Sequence, residues 1–198
     1  MIKAVLLDLD NTLLHNPDRQ FAQAFMQKLE NHLRQSTNIE DISSTFRKGI
    51  KNLNSNRDMM QTNTQVMAET IANATNLSIE QIYSVLQAFY DTDYHDLQPY
   101  TSSVDNNRQL IEQLLEQNLV VAIATNPLYP QTAILERLQW AGLSSLIDRF
   151  AFITHSDNMH FSKPNPAYYA EVIARIGIEP DEALMVGDSK TNDIKPAN

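Results

Sequence analysis

Two aspartates, Asp8 and Asp10, follow directly on a short apolar run, Ala4 to Leu7, and lead into Asn11 and Thr12. Burying a carboxylate costs free energy unless it is paired or binds a cation. Two of them at the end of a buried strand therefore need a chemical reason. Taken alone, the pair also fits a turn or a helix cap, roles that Asp often fills. Three further clusters decide between these readings. Leu119 to Thr125 is a second apolar run and ends in Thr125 and Asn126. A third, Phe150 to Ile153, precedes a polar loop that carries Lys163. A fourth, Ala183 to Val186, runs into Gly187 to Asp193, with Asp188 and Asp193. Singly, Thr125 would be a strand-ending residue, Lys163 a solvated loop lysine and Gly187-Asp188 a turn. In a parallel α/β sheet, however, the carboxyl ends of the strands converge on one rim. Carboxylates gathered there repel unless a cation sits among them. An all-oxygen site suits Mg²⁺, which keeps waters and recruits a substrate phosphate, while a hydroxyl and a lysine can donate to phosphate oxygens. The constellation reads as Mg²⁺-assisted phosphoryl transfer.

The elements that must position these residues are legible from periodicity. Four apolar runs alternating with helical patterns imply a Rossmann-like α/β core with a parallel sheet and right-handed crossovers. Between the first and second runs, from Pro17 to about His95, the chain is polar and rich in Gln and Asn, with helical spacing only. Phe21, Ala24, Phe25, Leu29 and Leu33 define one amphipathic face. Further helices are expected from about Glu40 to Leu53, from Thr64 to Thr75, and from a Ser78/Gln81 capping box through Phe89. Met59, Met60 and Met67 read as packing filler. Ser102 or Ser103 is expected to cap a helix running to about Gln117. Another spans Gln131 to Trp140 and stops at Gly142; a third is capped by Asn165 and ends near Gly177. The division expected is a core of residues 1–15 and 97–198, with an all-helical insert at 16–96 lying over the acids as a lid.

Composition narrows the function classes. The 198 residues carry a formal net charge of −9, which argues against general nucleic-acid binding. With no cysteine, thiolate metal sites and disulfides are excluded. No run approaches a membrane span and the N-terminus lacks a signal-peptide layout, so a soluble, cytoplasmic protein is expected. Oligomeric state is not readable.

These motifs, in this order and over nearly the whole chain, resemble the haloacid dehalogenase (HAD) superfamily, in the phosphatase branch with a helical cap after the first motif. DLDNT at Asp8–Thr12, Thr125, Lys163-Pro164 and GDSKTND correspond to its four motifs. The resemblance implies that Asp8 attacks phosphorus to form an aspartyl-phosphate. Asp10 would protonate the leaving alcohol and later deprotonate water. Mg²⁺ would be held by the Asp8 carboxylate, the Asp10 backbone carbonyl and Asp188, with Asp193 acting through a water or by orienting Lys163. Thr125 and Lys163 complete the catalytic set, and Asn126 and Thr12 are expected to bind substrate, a small phosphorylated metabolite. An acid at Asp10 favours a phosphatase over a dehalogenase or a phosphonoacetaldehyde hydrolase; the latter uses a cap lysine, and nothing singles out Lys28, Lys48 or Lys51. A phosphoglucomutase-like phosphotransferase and a catalytically silent binding protein are the alternatives. His15 and Asn16 are candidates to face substrate, whereas His155 and His160 read as loop histidines. Family members usually continue with a helix and a fifth strand after the fourth motif, so the ending at Asn198 leaves the last strand as an expected exposed edge.

Overall fold

A computed structural model describes residues 1–16, 18–37 and 41–197; Pro17, Glu40 and Asn198, where sequence boundaries were drawn, lie outside them. Strands β1 (Ala4–Leu7), β4 (Val120–Ile123), β5 (Phe152–Ile153) and β6 (Ala183–Val186) form one sheet in the order β5-β4-β1-β6. All pairings are parallel, with Ala4 opposite both Val120 and Ala183. The period-2 alternation of β1 divides its side chains between two cores. Val5 and Leu7 pack with Val121, Ile123, Ile111 and Ile134 on one face. Leu6 packs with Ala122, Tyr168 and Val172 on the other. Helices α5 (Asn107–Glu116) and α6 (Gln131–Trp140) supply the first face and α7 (Pro166–Ile176) the second. A central strand covered on both sides reads as a continuous apolar run for this reason. β6 stands at the edge of this sheet, with Leu184 49 % exposed.

Helices α1 (Asp18–Ser36), α2 (Ile42–Ser55), α3 (Asn63–Ala72) and α4 (Ile79–Thr92) fill the segment between β1 and β4 and build an apolar cluster from Phe21, Phe25, Leu29, Leu33, Phe46 and Phe89. That cluster extends onto Ala133 of α6 and the flanking Leu128, Tyr129 and Trp140. The Ser78/Gln81 capping box forms, and Thr62 with Gln65 forms a second one at the start of α3. Asn165 caps α7, and Gly142 and Gly177 take the left-handed conformation that ends a helix without a Cβ penalty.

Two expectations need correction. Ser102 and Ser103 do not cap a helix. They form a short strand, β3, antiparallel to β2 (Leu14–His15), and α5 begins after Asn106, which has positive φ. Pairing across the two ends of the helical segment wins over capping because it satisfies backbone groups that would otherwise be left open. The methionines also divide: Met67 is core, but Met59 and Met60 are 68 % and 85 % exposed, so only one of the three fills space.

Asn107 fastens this junction. Its side-chain amide donates to the Leu13 carbonyl at 2.8 Å and to the Ala141 carbonyl at 2.9 Å, tying the loop after β1 to the end of α6. Both bonds are buried, so Asn107→Ala removes two hydrogen bonds, although the Val104 amide still donates to the Leu13 carbonyl and the Ser103 hydroxyl to the Ala141 carbonyl. The expected cost is about 0.5–1.5 kcal/mol per lost hydrogen bond, read as a lower urea midpoint with unchanged slope. A midpoint equal to that of the parent would contradict this role.

Candidate active site

The β1 hydrogen-bond ladder continues one residue past the strand, with the Asp8 amide donating to the Val186 carbonyl at 2.9 Å. This fixes Asp8 at the rim between β4 and β6, where its carboxylate is buried. Lys163, brought in by the loop between β5 and α7, is also buried and reaches two carboxylates at once. Its Nζ donates to Asp8 Oδ1 at 2.8 Å and to Asp193 Oδ1 at 2.6 Å. Burial pushes the Asp8 carboxyl up to about 7; Lys163 opposes the shift, and Asp193 and Asp10 add to it. One ammonium thus serves two buried carboxylates and leaves an excess negative charge in a desolvated place.

Ligand atoms of Asp8, Asp188 and Asp193 lie within 4.8 Å of one another. The set is all carboxylate oxygen, the donor type that suits a hard divalent cation. Asp193 already uses both oxygens, one for Lys163 and the other, at 2.9 Å, for the Ser189 amide. This fits orientation of Lys163 better than direct ligation. Gly187 makes the arrangement possible, because a Cβ there would come within 2.4 Å of the Asp193 carboxyl.

A cavity of about 330 Å³ opens onto these groups. Asp8, Asp10, Thr125, Asn126, Lys163, Asp188 and Asp193 all line it, so residues from four strand ends meet in one place. The Thr125 carbonyl is held by the Thr154 hydroxyl and the Tyr168 hydroxyl, each at 2.8 Å. Asn126 points a buried Oδ1 at no hydrogen-bond partner among the described residues. Thr12 does not line the cavity; its hydroxyl lies 3.5 Å from Asp8 Oδ2. Asn16 does line it and donates to Asp10 Oδ1 at 3.1 Å, whereas His15 is exposed on β2. His155 and His160 pair with Asp157 and Glu171 away from the cavity, and Lys28 pairs with Asp96.

The Asp10 carboxylate stands outside the three-carboxylate cluster. Its Oδ2 accepts from Arg137, a fully buried residue of α6 that the sequence reading passed over. A signal was present. Ala133, Ile134, Leu138 and Ala141 form the buried face of α6, and Arg137 is a charge placed within that apolar stripe.

Similarity to known proteins agrees with this geometry. A family model for haloacid dehalogenase-like hydrolases matches residues 2–198. The chain is 27 % identical over 205 residues to a glyceraldehyde 3-phosphate phosphatase of Methanopyrus kandleri, covering all of this chain and 80 % of that protein. It is 33 % identical over 105 residues to a phosphoglycolate phosphatase of Pectobacterium atrosepticum, covering 50 % of this chain and 42 % of the relative. Among solved structures, a 2-haloacid dehalogenase of Pseudomonas syringae superposes with a TM-score of 0.63 at 19 % identity, covering 100 % of this chain and 82 % of that one, a likeness of fold. With residues of four motifs gathered on one sheet rim and a family match over almost its whole length, the chain belongs to the haloacid dehalogenase-like hydrolases.

Proposed function

We propose that this protein is a Mg²⁺-dependent phosphomonoesterase that hydrolyses a small phosphorylated metabolite through an aspartyl-phosphate on Asp8. The observation that carries the reading is the buried Lys163 bridge between Asp8 and Asp193 at the floor of a cavity also lined by Asp10 and Thr125. The phosphatase names of two relatives support it.

In this reading an Asp8 carboxylate oxygen forms a bond to phosphorus while the ester P–O bond breaks. Asp10 gives its proton to the departing alcohol. Asp10, now a carboxylate, then takes a proton from water, whose oxygen bonds to phosphorus as the Asp8–phosphorus bond breaks. Thr125 and nearby amides hold phosphoryl oxygens, and Lys163 offsets charge that builds on them. Mg²⁺, held by the Asp8 carboxylate, the Asp10 backbone carbonyl and Asp188, would neutralise further charge on the phosphoryl group when bound. The donor set fits such an ion, since carboxylate oxygens of Asp8, Asp188 and Asp193 lie within 4.8 Å of one another. Residues 16–96 form the cap in this reading, with Phe21 and Ala22 contributing to the cavity wall and so to substrate choice.

The first experiment is hydrolysis of sugar phosphates, phosphoglycolate and glyceraldehyde 3-phosphate with Mg²⁺ and with EDTA. Activity is expected only with the metal, and Asp8→Asn should lose at least about 10³-fold, as removal of a covalent nucleophile does. No turnover of any phosphomonoester by folded protein would overturn the phosphatase reading. Gly187→Ala tests the position of Asp193. A Cβ would push that carboxyl off Lys163, and a displacement of about 1 Å costs roughly 10²-fold in kcat. An unchanged kcat would show that Asp193 has no part in the chemistry.

A further inference from the structure

Arg137 is the largest fully buried side chain among the described residues, and its guanidinium sits beside the candidate proton donor. Its Nη1 donates to Asp10 Oδ2, and its Nε donates to the Tyr94 hydroxyl at 2.7 Å. The guanidinium carbon lies 4.5 Å from the Phe21 ring centroid and 4.2 Å from that of Tyr129, so the plane is held between aromatic rings. Its buried guanidinium finds its polar partners in Asp10 and the Tyr94 hydroxyl. Burial raises the Tyr94 hydroxyl far above its ordinary range, so it acts as a neutral acceptor.

A guanidinium buried this completely is costly, and a carboxylate on the protein surface would not repay it. Hydrophobic packing of α6 would be served as well by Leu or Met at this position. What Arg137 adds is a fixed direction for Asp10. With Asn16 on Oδ1 and Arg137 on Oδ2, both oxygens of Asp10 have a set partner, and each retains a second lone-pair site. The clamp also spans the fold: Phe21 and Tyr94 come from segment 16–96, Asp10 from the loop after β1, and Tyr129 from the loop after β4.

We propose that Arg137 is a positioning residue that aims the Asp10 carboxyl at the leaving-group oxygen, and that it ties this aim to the aromatic wall formed by Phe21, Tyr94 and Tyr129. The inference rests on the phosphomonoesterase reading above. The step it governs is transfer of the Asp10 proton to the departing alkoxide as the Asp8–phosphorus bond forms and the ester bond breaks. An alkoxide needs that proton, whereas a nitrophenolate leaves without it.

The test is therefore a leaving-group comparison on kcat/KM, which reports steps up to release of the alcohol and excludes the shared hydrolysis of the intermediate. Wild type, Asp10→Asn, Arg137→Gln and Tyr94→Phe are each assayed, with Mg²⁺, on the best alkyl phosphate and on 2,4-dinitrophenyl phosphate. General acid catalysis contributes about 10²–10⁴-fold. Asp10→Asn and Arg137→Gln should each lose about 10²-fold or more on the alkyl ester and less than about threefold on the aryl ester. Tyr94→Phe removes one support and should show the same selectivity at roughly three- to tenfold. It decides the matter should Arg137→Gln fail to fold. Equal losses on both esters in the Arg137 or Tyr94 variants, with Asp10→Asn selective, would overturn the positioning role and leave the phosphatase reading intact. An unselective Asp10→Asn would overturn it too, since Asp10 would then not be the acid. A wild type inactive on both esters would overturn both readings together.

Discussion

Everything at this site depends on one ammonium group shared by two buried carboxylates. Lys163, Asp8 and Asp193 are all buried, and each finds its partner in this one bridge. Removing one partner from such a bridge leaves an uncompensated buried charge, at a cost of about 3–5 kcal/mol. The bridge is also incomplete, because two carboxylates face one positive charge. Burial, with smaller contributions from Asp193 and Asp10, holds the Asp8 carboxyl up at about 7 despite Lys163. In the proposed reading, this cluster at the floor of the cavity is where a divalent cation and the adjacent phosphoryl group would bind.

The rest of the architecture supplies the convergence that the bridge needs. β1 is the central strand: its two faces are sealed by separate cores and its carboxyl end is held between β4 and β6. This rigidity leaves Asp8 little freedom. Lys163 arrives on a loop after β5 and Asp193 on the helical turn after β6, so the two partners approach from opposite sides of β1. Tyr168 braces the assembly from below, with its ring 5.7 Å from Lys163 Nζ and its hydroxyl on the Thr125 carbonyl. The helical segment closes the other side through Phe21, whose neighbour Ala22 also reaches the cavity.

Much of this was legible in the chain because it follows from short-range rules. Asp8, Asp10, Thr125 and Asp188 stand at or just past the ends of apolar runs, with Lys163 and Asp193 in the segments that follow, and the parallel-sheet rule brings such ends together. The Ser78/Gln81 box and the Asn165 cap were readable for similar reasons, as local hydrogen-bond patterns. The features that escaped are long-range. Nothing within the neighbourhood of Ser102 indicates that Leu14 will pair with Ser103, since that contact spans the whole helical segment. Asn107 gives no hint that it will bind carbonyls of residues 13 and 141. Arg137 did break the apolar stripe of its helix, but the stripe alone could not name Asp10 as its partner. Thr12 is the reverse case: its place in the first motif suggested substrate contact, whereas its hydroxyl turns back toward Asp8.

The most direct measurement is calorimetric titration of Mg²⁺ into the wild type and into Asp188→Asn, without substrate. Asp188 contributes the one exposed carboxylate of the three-acid cluster, so its neutralisation should spare the fold. A single Mg²⁺ per chain is expected for the wild type, with binding weakened by at least about tenfold in the variant. Folded wild type that binds no Mg²⁺, or equal affinity in both proteins, would contradict the view that this rim is built to complete its charge with a divalent ion.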